Sequence, residues 1–410
     1  MKQGWEIKKL GDVCTDLLQG INTATDKTEF VNEGIPILQA KEIGVDKLEL
    51  NNCKFITEAK YKIAAERYKP QLGDILYNNI GSSMGRSIEV VWNYPFTIAW
   101  NVMRIIPDRK KVTSKFLNYL LQSPIVFDRI IFKSKGVGMP FISKKDLIEI
   151  EAFYPPLPEQ QRIVVILDEA FAAIAKAKDN AEQNLKNAKE LFESYLQGVF
   201  ENGNWVEKKL SDLSDTGAGG TPLKSHKDYY QGGNVPWLRS GEVDKKDIVE
   251  CELFITEKGL KNSSARLFPK DTVLIAMYGA TAGQVGILRF ECSTNQAVCG
   301  ILPNKNIIPE FLYYKFMAGK QALVDQAVGG AQPNISQIKI KNTLVPFISL
   351  KEQQTIVKKL DALSAETKKL EAISDQKIND LEELKKSVLQ KAFAGQLIMN
   401  NEQKGIKHTS

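Results

Sequence analysis

The feature that most constrains this 410-residue chain is a long stretch from Pro156 to Phe200 that recurs from Ser349 to Phe393. Glu159-Gln160-Gln161 returns as Glu352-Gln353-Gln354, Leu167-Asp168 as Leu360-Asp361 and Leu196-Gln197 as Leu389-Gln390, each pair 193 positions apart with no insertion between. Such constancy of length is what a helix demands, because one inserted residue rotates everything after it by about 100°. In the first copy the apolar positions are Ile163, Leu167, Ala170, Ile174, Ala177, Ala181, Leu185, Ala188, Phe192, Tyr195 and Val199. In the second they are Ile356, Leu360, Leu363, Thr367, Leu370, Ser374, Ile378, Leu381, Lys385, Val388 and Ala392. Both follow a heptad seam with one stutter at the same place, as expected of two helices made to lie together in a coiled coil.

The repeat extends beyond the helices. Trp5-Glu6-Ile7-Lys8-Lys9-Leu10 returns as Trp205-Val206-Glu207-Lys208-Lys209-Leu210, Ile35-Pro36-Ile37-Leu38-Gln39 as Val235-Pro236-Trp237-Leu238-Arg239, and Phe55-Ile56-Thr57-Glu58 as Phe254-Ile255-Thr256-Glu257. Gly81-Ser82-Ser83-Met84-Gly85-Arg86 answers Gly279-Ala280-Thr281-Ala282-Gly283-Gln284, and Pro140-Phe141-Ile142-Ser143 answers Pro333-Asn334-Ile335-Ser336. The chain is one unit written twice. Within each unit, short apolar runs between Gly, Pro and Asn predict strands and turns. Strands are expected at 73–77 and 272–277, and short helices at 113–122 and 309–318.

The fold class expected is therefore α+β: two pseudo-symmetric globular domains separated by an antiparallel pair of long coiled-coil helices. The boundaries are 1–155 and 203–348 for the domains, 156–202 and 349–396 for the helices, and 397–410 for a flexible tail. About 42 residues at 1.5 Å each give a spacer of roughly 60 Å, a geometry suited to two separated patches on duplex DNA.

Charge points the same way. The helix repeats carry net charges of −2 (159–200) and 0 (352–393), so +8 of compensating charge falls on the remainder of a chain whose total is +6. Basic globular parts beside neutral helices are the distribution expected for phosphate contact. Only His226 and His408 could supply imidazole, which removes most nucleophile-and-base schemes. The five cysteines lack a Cys-x-x-Cys pair and are expected to be buried free thiols, with no metal site. No run of eighteen apolar residues and no apolar leader is present, so a cytoplasmic protein without a membrane partner is expected. There is no Gly-x-x-x-x-Gly-Lys-Ser/Thr loop and no Asn/Asp-Pro-Pro-aromatic motif; Gly217-Ala218-Gly219-Gly220 reads as a turn, and Glu58-Ala59-Lys60 as solvated surface.

Gly219-Gly220-Thr221-Pro222, Tyr229-Tyr230, Gly233-Asn234-Val235-Pro236-Trp237-Leu238, Pro333-Asn334-Ile335-Ser336 and the two Glu-Gln-Gln helix starts together resemble the specificity subunit of a type I restriction-modification system. The resemblance spans nearly the whole chain. It departs in the first domain, which has Gly20-Ile21-Asn22-Thr23 in place of the Gly-Gly-Thr-Pro loop and Ile37 in place of Trp237. It implies a non-catalytic chain whose two target-recognition domains select a split sequence in double-stranded DNA, and which holds two methyltransferase subunits. ATP-dependent restriction subunits would join them. No cofactor is implied in this chain, since S-adenosylmethionine, ATP and magnesium would sit on the partners. A different class of function, a coiled-coil scaffold holding proteins rather than DNA, is the alternative.

Base edges are read by Arg on guanine and by Gln or Asn on adenine, from turns at strand ends. The matched pairs Arg86 and Gln284, and Gln39 and Arg239, are the foremost candidates, because a change of residue at a fixed position is what two different half-sites would require. Asn78, Asn79, Thr221, Lys224, Tyr278, Gln332 and Asn334 are further DNA-binding candidates, with Lys133 and Lys135 for phosphate. Gln160, Gln161, Gln353 and Gln354 are expected to cap helix starts or meet the partner subunits.

Overall fold

The computed structural model describes residues 4–45, 47–136, 138–325 and 334–397. The expected tail, beyond its first residue, therefore lies outside the described residues, as does the candidate Gln332. Two compact units divide the chain: the first joins the sequence up to Ala181 with that from Gln376 onward, and the second is Glu182–Asp375.

In the first unit, strands Glu6–Lys9 and Glu151–Tyr154 pair antiparallel and tie the start of the globular segment to its end. Behind them lies a four-stranded sheet in the order Cys14–Gln19, Val102–Pro107, Ile75–Asn78, Ser87–Glu89. A three-stranded sheet places Ile35–Leu38 between Lys54–Ile56, antiparallel, and Thr97–Ile98, parallel. The second unit repeats each of these pairings. Glu207–Lys209 pairs with Leu344–Pro346, and Thr216–Ala218, Val298–Ile301, Val273–Ala276 and Val285–Leu288 follow in the same order, with Asp247–Ile248 added as a fifth strand. Val235–Leu238 lies between Phe254–Ile255 and Cys292–Thr294, with Leu267–Phe268 added beyond. The strands expected at 73–77 and 272–277 are Ile75–Asn78 and Val273–Ala276. Both are fully buried, which is why Ile75-Leu76-Tyr77 and Val273-Leu274-Ile275-Ala276 read as apolar runs without alternation. The expected short helices form as Ser114–Gln122 and Pro309–Ala318, the second with proline in its first turn.

The long repeats are helices Leu157–Glu201 and Leu350–Phe393. In the first unit Ile163 and Leu167 share a core with Leu389, Ala392 and Phe393, and Lys178 pairs with Glu382 at 2.7 Å. In the second, Phe192, Leu196 and Phe200 share a core with Val357 and Leu360. The early part of each helix thus meets the late part of the other, the antiparallel arrangement read from the seams. The seam itself needs correcting. Leu370, midway along the second helix, is exposed; at the ends Tyr195 is exposed, whereas Leu196, Phe200 and Phe393 are buried. There each long helix packs on a globular domain rather than on the other long helix, with Phe200 against Phe311 of helix Pro309–Ala318 at 5.5 Å and Phe393 against Phe116 of helix Ser114–Gln122 at 5.2 Å between ring centres. A straight helix meets such a surface with steps of four, not with a supercoiled heptad. No helix among the described residues is long and apolar enough to cross a membrane.

Candidate nucleic-acid interface

The turns that carry Arg86 and Gln284 are built alike. After Ile75–Asn78, the amide of Met84 donates to Gly81 O at 3.0 Å, Gly85 to Asn78 O at 2.9 Å, Arg86 to Ser83 O at 3.2 Å, and Asn78 to Arg86 O at 2.9 Å. After Val273–Ala276 the same four bonds recur 198 positions on: Ala282 to Gly279, Gly283 to Ala276, Gln284 to Thr281, and Ala276 to Gln284. All four turn glycines have positive φ. A Cβ on Gly85 would sit 2.3 Å from the Phe127 ring, and one on Gly283 would sit 3.0 Å from Lys320, so each turn is pressed onto a following helix that only glycine lets it approach. Arg86 is exposed and Gln284 half-buried.

Each turn is braced by the segment that matches at 140–143 and 333–336. In the first unit Gly81 donates to Pro140 O at 2.8 Å and Ile142 to Asn79 O at 2.9 Å. In the second, Ile335 donates to Met277 O at 2.8 Å and Tyr278 bridges Asn334, so these two candidates stand side by side at the exposed edge of the turn.

Asn78 and Asn79 are corrected by this geometry: both are buried and engaged internally, out of reach of a base edge. The Nδ2 of Asn78 donates to Ala40 O at 2.8 Å and to Ser83 Oγ at 3.1 Å, joining the Gln39 corner to the Arg86 turn. Asn79 donates to Ile142 O at 3.3 Å and accepts from Gln19 at 3.1 Å. Gln39 and Arg239 occupy equivalent corners, their amides donating to Glu42 and Glu242 at 2.9 Å each. Gln39 is half-buried; the exposed Arg239 guanidinium already faces Glu252 at 3.3 Å and Glu242 at 3.9 Å, so it would meet a base only by exchanging those carboxylates.

The Gly-Gly-Thr-Pro loop interlocks with the other residues that carry the resemblance. Trp237 Nε1 donates to Gly220 O at 3.0 Å, Tyr230 OH to Pro222 O at 2.5 Å, and Thr221 to the Gln296 side chain. Gly219 and Gly220 lie so close to Thr294 and Ser264 that a Cβ on either would be 2.1–2.2 Å from them. The first unit keeps the backbone plan without the motif: Gly20 donates to Val102 O and Ile21 to Ile98 O, as Gly219 does to Val298 O and Gly220 to Thr294 O. Lys224 is exposed nearby. Lys133 and Lys135 are exposed, 3.4 Å from Glu149 O and 3.6 Å from Asp146 respectively.

Gln160 and Gln353 are also corrected as partner-binding residues. Both are buried. Gln160 accepts the Thr113 amide at 2.9 Å and donates to Lys111 O and Pro155 O at 2.9 Å each; Gln353 accepts the Ile308 amide at 3.0 Å and donates to Asn306 O and Ile348 O. They clamp each helix start to its own globular segment, while Gln161 and Gln354 stay exposed.

Sequence reasoning missed one matched element. Tyr119 OH donates to Asp168 at 2.6 Å, joined by Lys115 at 2.7 Å, and Tyr314 OH donates to Asp361, joined by Lys246. The repeat of Leu-Asp at fixed offset was the available signal for it. The cysteines are free thiols, and burial pushes those of Cys14 and Cys299 up to about 12, leaving them unreactive.

Comparison with known proteins accords with this double construction. The chain is 32% identical over 158 residues to the MjaIX specificity subunit of Methanocaldococcus jannaschii, covering 37% of this chain and 36% of that protein. It is 26% identical over 209 residues to the EcoR124I/EcoR124II specificity subunit of Escherichia coli, covering 49% of this chain and 51% of that protein, so these two matches span about a third and about half of those relatives' lengths. It is 23% identical to the EcoKI specificity subunit of Escherichia coli K12 over 97% of this chain and 90% of that one. Its fold is similar to a chain from a structure of type I restriction-modification complex assembly and conformational transition, with TM-score 0.78, 18% identity and coverage of 97% and 99%. It is also similar to the HsdS subunit of Thermoanaerobacter tengcongensis, with TM-score 0.60, 18% identity and coverage of 97% and 98%. The family model described as the type I restriction modification DNA specificity domain matches residues 2–185 and again 202–383, and the chain belongs to that family, carrying its domain twice.

Proposed function

We propose that this chain is the non-catalytic, sequence-specific DNA-binding subunit of a type I restriction-modification complex, each unit reading one half of a bipartite target. Methyltransferase subunits bound to it would supply adenine methylation from S-adenosylmethionine, and ATP- and magnesium-dependent restriction subunits would complete the assembly, in the cytoplasm.

The observation that carries this reading is the pair of turns with the same backbone hydrogen bonds, Arg86 standing in one unit where Gln284 stands in the other. A common scaffold that differs at its presented residue is what reading two unlike half-sites requires, since Arg favours the guanine edge and Gln the adenine edge. The test is to assemble the chain with its methyltransferase subunits and map methylated adenines by sequencing. Arg86→Gln should alter the motif in one half-site only, and Gln284→Arg in the other only. A motif unchanged by both substitutions would remove these turns from base reading.

A further inference from the structure

Strand Val102–Pro107 enters the first unit's sheet from a tight turn, Ala99 to Val102, closed by the Val102 amide donating to Ala99 O at 2.9 Å. In the second unit Asn295 to Val298 form the same turn ahead of strand Val298–Ile301, closed at 3.2 Å. The surroundings match as well. The Ala99 and Asn295 amides donate to Leu38 O and Leu238 O, and the loops at 20–23 and 219–222 grip the turns through Gly20 and Ile21 in one unit and Gly219 and Gly220 in the other. Each turn is buried or half-buried except at one position. That position holds Trp100 in the first unit and Gln296 in the second, 196 residues on, and both are exposed.

Both turns lie at the end of the sheet that carries the Arg86 and Gln284 turns. Asn78 donates its amide to Arg86 O at 2.9 Å and pairs with Val102 across the ladder; Ala276 donates to Gln284 O and pairs with Val298 in the same way. Neighbouring strands lie about 4.8 Å apart, so the two turns of each unit stand roughly 10 Å apart, the rise of about three base pairs. An indole 44% exposed between a buried Ala99 and a buried Val102 serves no core. Gln296 is oriented from behind: the Thr221 hydroxyl donates to its Oε1, and a carbonyl oxygen has a second lone pair to offer beside the amide donors.

The exchange of side chain on a kept scaffold decides what such a pair meets. A partner met alike by both units would call for like residues at the two places, whereas two different half-sites call for different ones. The residue types agree with base edges in the major groove, where an apolar side chain recognises the methyl of thymine and a glutamine amide recognises N6 and N7 of adenine.

We propose that Trp100 and Gln296 are a second matched pair of specificity-determining residues, the Trp100 indole packing on a thymine methyl in the first half-site and the Gln296 amide bonding an adenine edge in the second. This rests on the DNA-reading function above and adds a second reading position to each unit, beside Arg86 and Gln284.

The experiment uses the full chain assembled with its methyltransferase subunits and a duplex carrying the mapped target. Single thymines are replaced by uracil, which lacks the methyl, and single adenines by 7-deazaadenine, which lacks the N7 acceptor. The parent should lose about fourfold in affinity at one thymine of the first half-site, the worth of one buried methyl, and about fivefold at one adenine of the second, the worth of one hydrogen bond. Trp100→Ala should bind the natural duplex about fourfold more weakly and no longer respond to uracil there, while keeping the adenine response; Gln296→Ala should do the converse. Trp100→Phe should keep the uracil response, which separates a lost contact from a damaged fold. Variants that respond to every replaced base as the parent does overturn the pair and leave the reading by Arg86 and Gln284 standing. Unchanged DNA binding together with loss of co-eluting methyltransferase subunits overturns it in favour of a protein contact. Absence of sequence-specific binding by the parent complex overturns the underlying function, and the pair with it.

Discussion

The Oε1 atom of Gln160 accepts the backbone amide of Thr113 at 2.9 Å, although 47 residues separate them. With its Nε2 donating to Lys111 O and Pro155 O, one amide side chain satisfies three backbone groups at the junction of helix and domain. Gln353 does the same in the second unit through Ile308, Asn306 and Ile348.

Replacing Gln160 by alanine strands those buried groups without partners. A single unsatisfied buried group costs about 1–3 kcal/mol, so a loss of roughly 3 kcal/mol is expected in urea unfolding, and a similar loss for Gln353→Ala. The exposed neighbours provide the contrast: Gln161→Ala and Gln354→Ala should stay within about 0.5 kcal/mol of the parent. Equal effects at Gln160 and Gln161 would contradict the clamp.

The turn glycines separate backbone strain from steric collision. Gly81 has φ +85° but nothing within 4 Å of an added Cβ, so Gly81→Ala should cost only the strain of a left-handed residue, about 1–2 kcal/mol. Gly85 has φ +91° and the Phe127 ring 2.3 Å away, so Gly85→Ala adds a collision that must push the turn off its helix. Thermal unfolding should rank Gly85→Ala well below Gly81→Ala. The displaced turn carries Arg86, so the first half-site should also lose specificity, which methylation mapping would detect.

The doubling of the chain, its long helices and the strands that end in glycine turns were legible because each leaves a periodic or positional mark: a 193-residue offset, a heptad, a Gly-x-x-x-Gly. What each polar residue faces was not. Asn78 and Arg86 are equally hydrophilic in sequence, yet one lies inside as a brace and the other points outward, because strand Ile75–Asn78 still runs through the core at Asn78. Gln160 and Gln161 look interchangeable, but a helix separates adjacent side chains by about 100°, which sends one into the domain and the other into solvent. The seam failed at Tyr195 because heptad reasoning assumes the same long partner helix along the whole length, and the last turns meet the globular domain instead, Phe200 packing on Phe311.

The two helix starts use their matched glutamates differently. Ser349 opens the second helix, and both its hydroxyl, at 2.7 Å, and its amide, at 3.0 Å, donate to Glu352. These bonds, the hydroxyl's first, hold the Glu352 carboxyl below its ordinary value. Pro156 stands at the matching position of the first helix, and Glu159 there holds Arg162 instead, at 2.6 and 2.8 Å. A carboxylate with a depressed folded-state pKa stabilises the fold above the unfolded value of about 4.3 and loses that contribution as pH falls through the folded one. Hydrogen exchange at the amides of 350–353 should therefore be slower in the parent than in Glu352→Gln at neutral pH, and the two rates should converge on acidification. A ratio of rates that stayed constant through the acid range would mean that the carboxylate lends the helix start nothing.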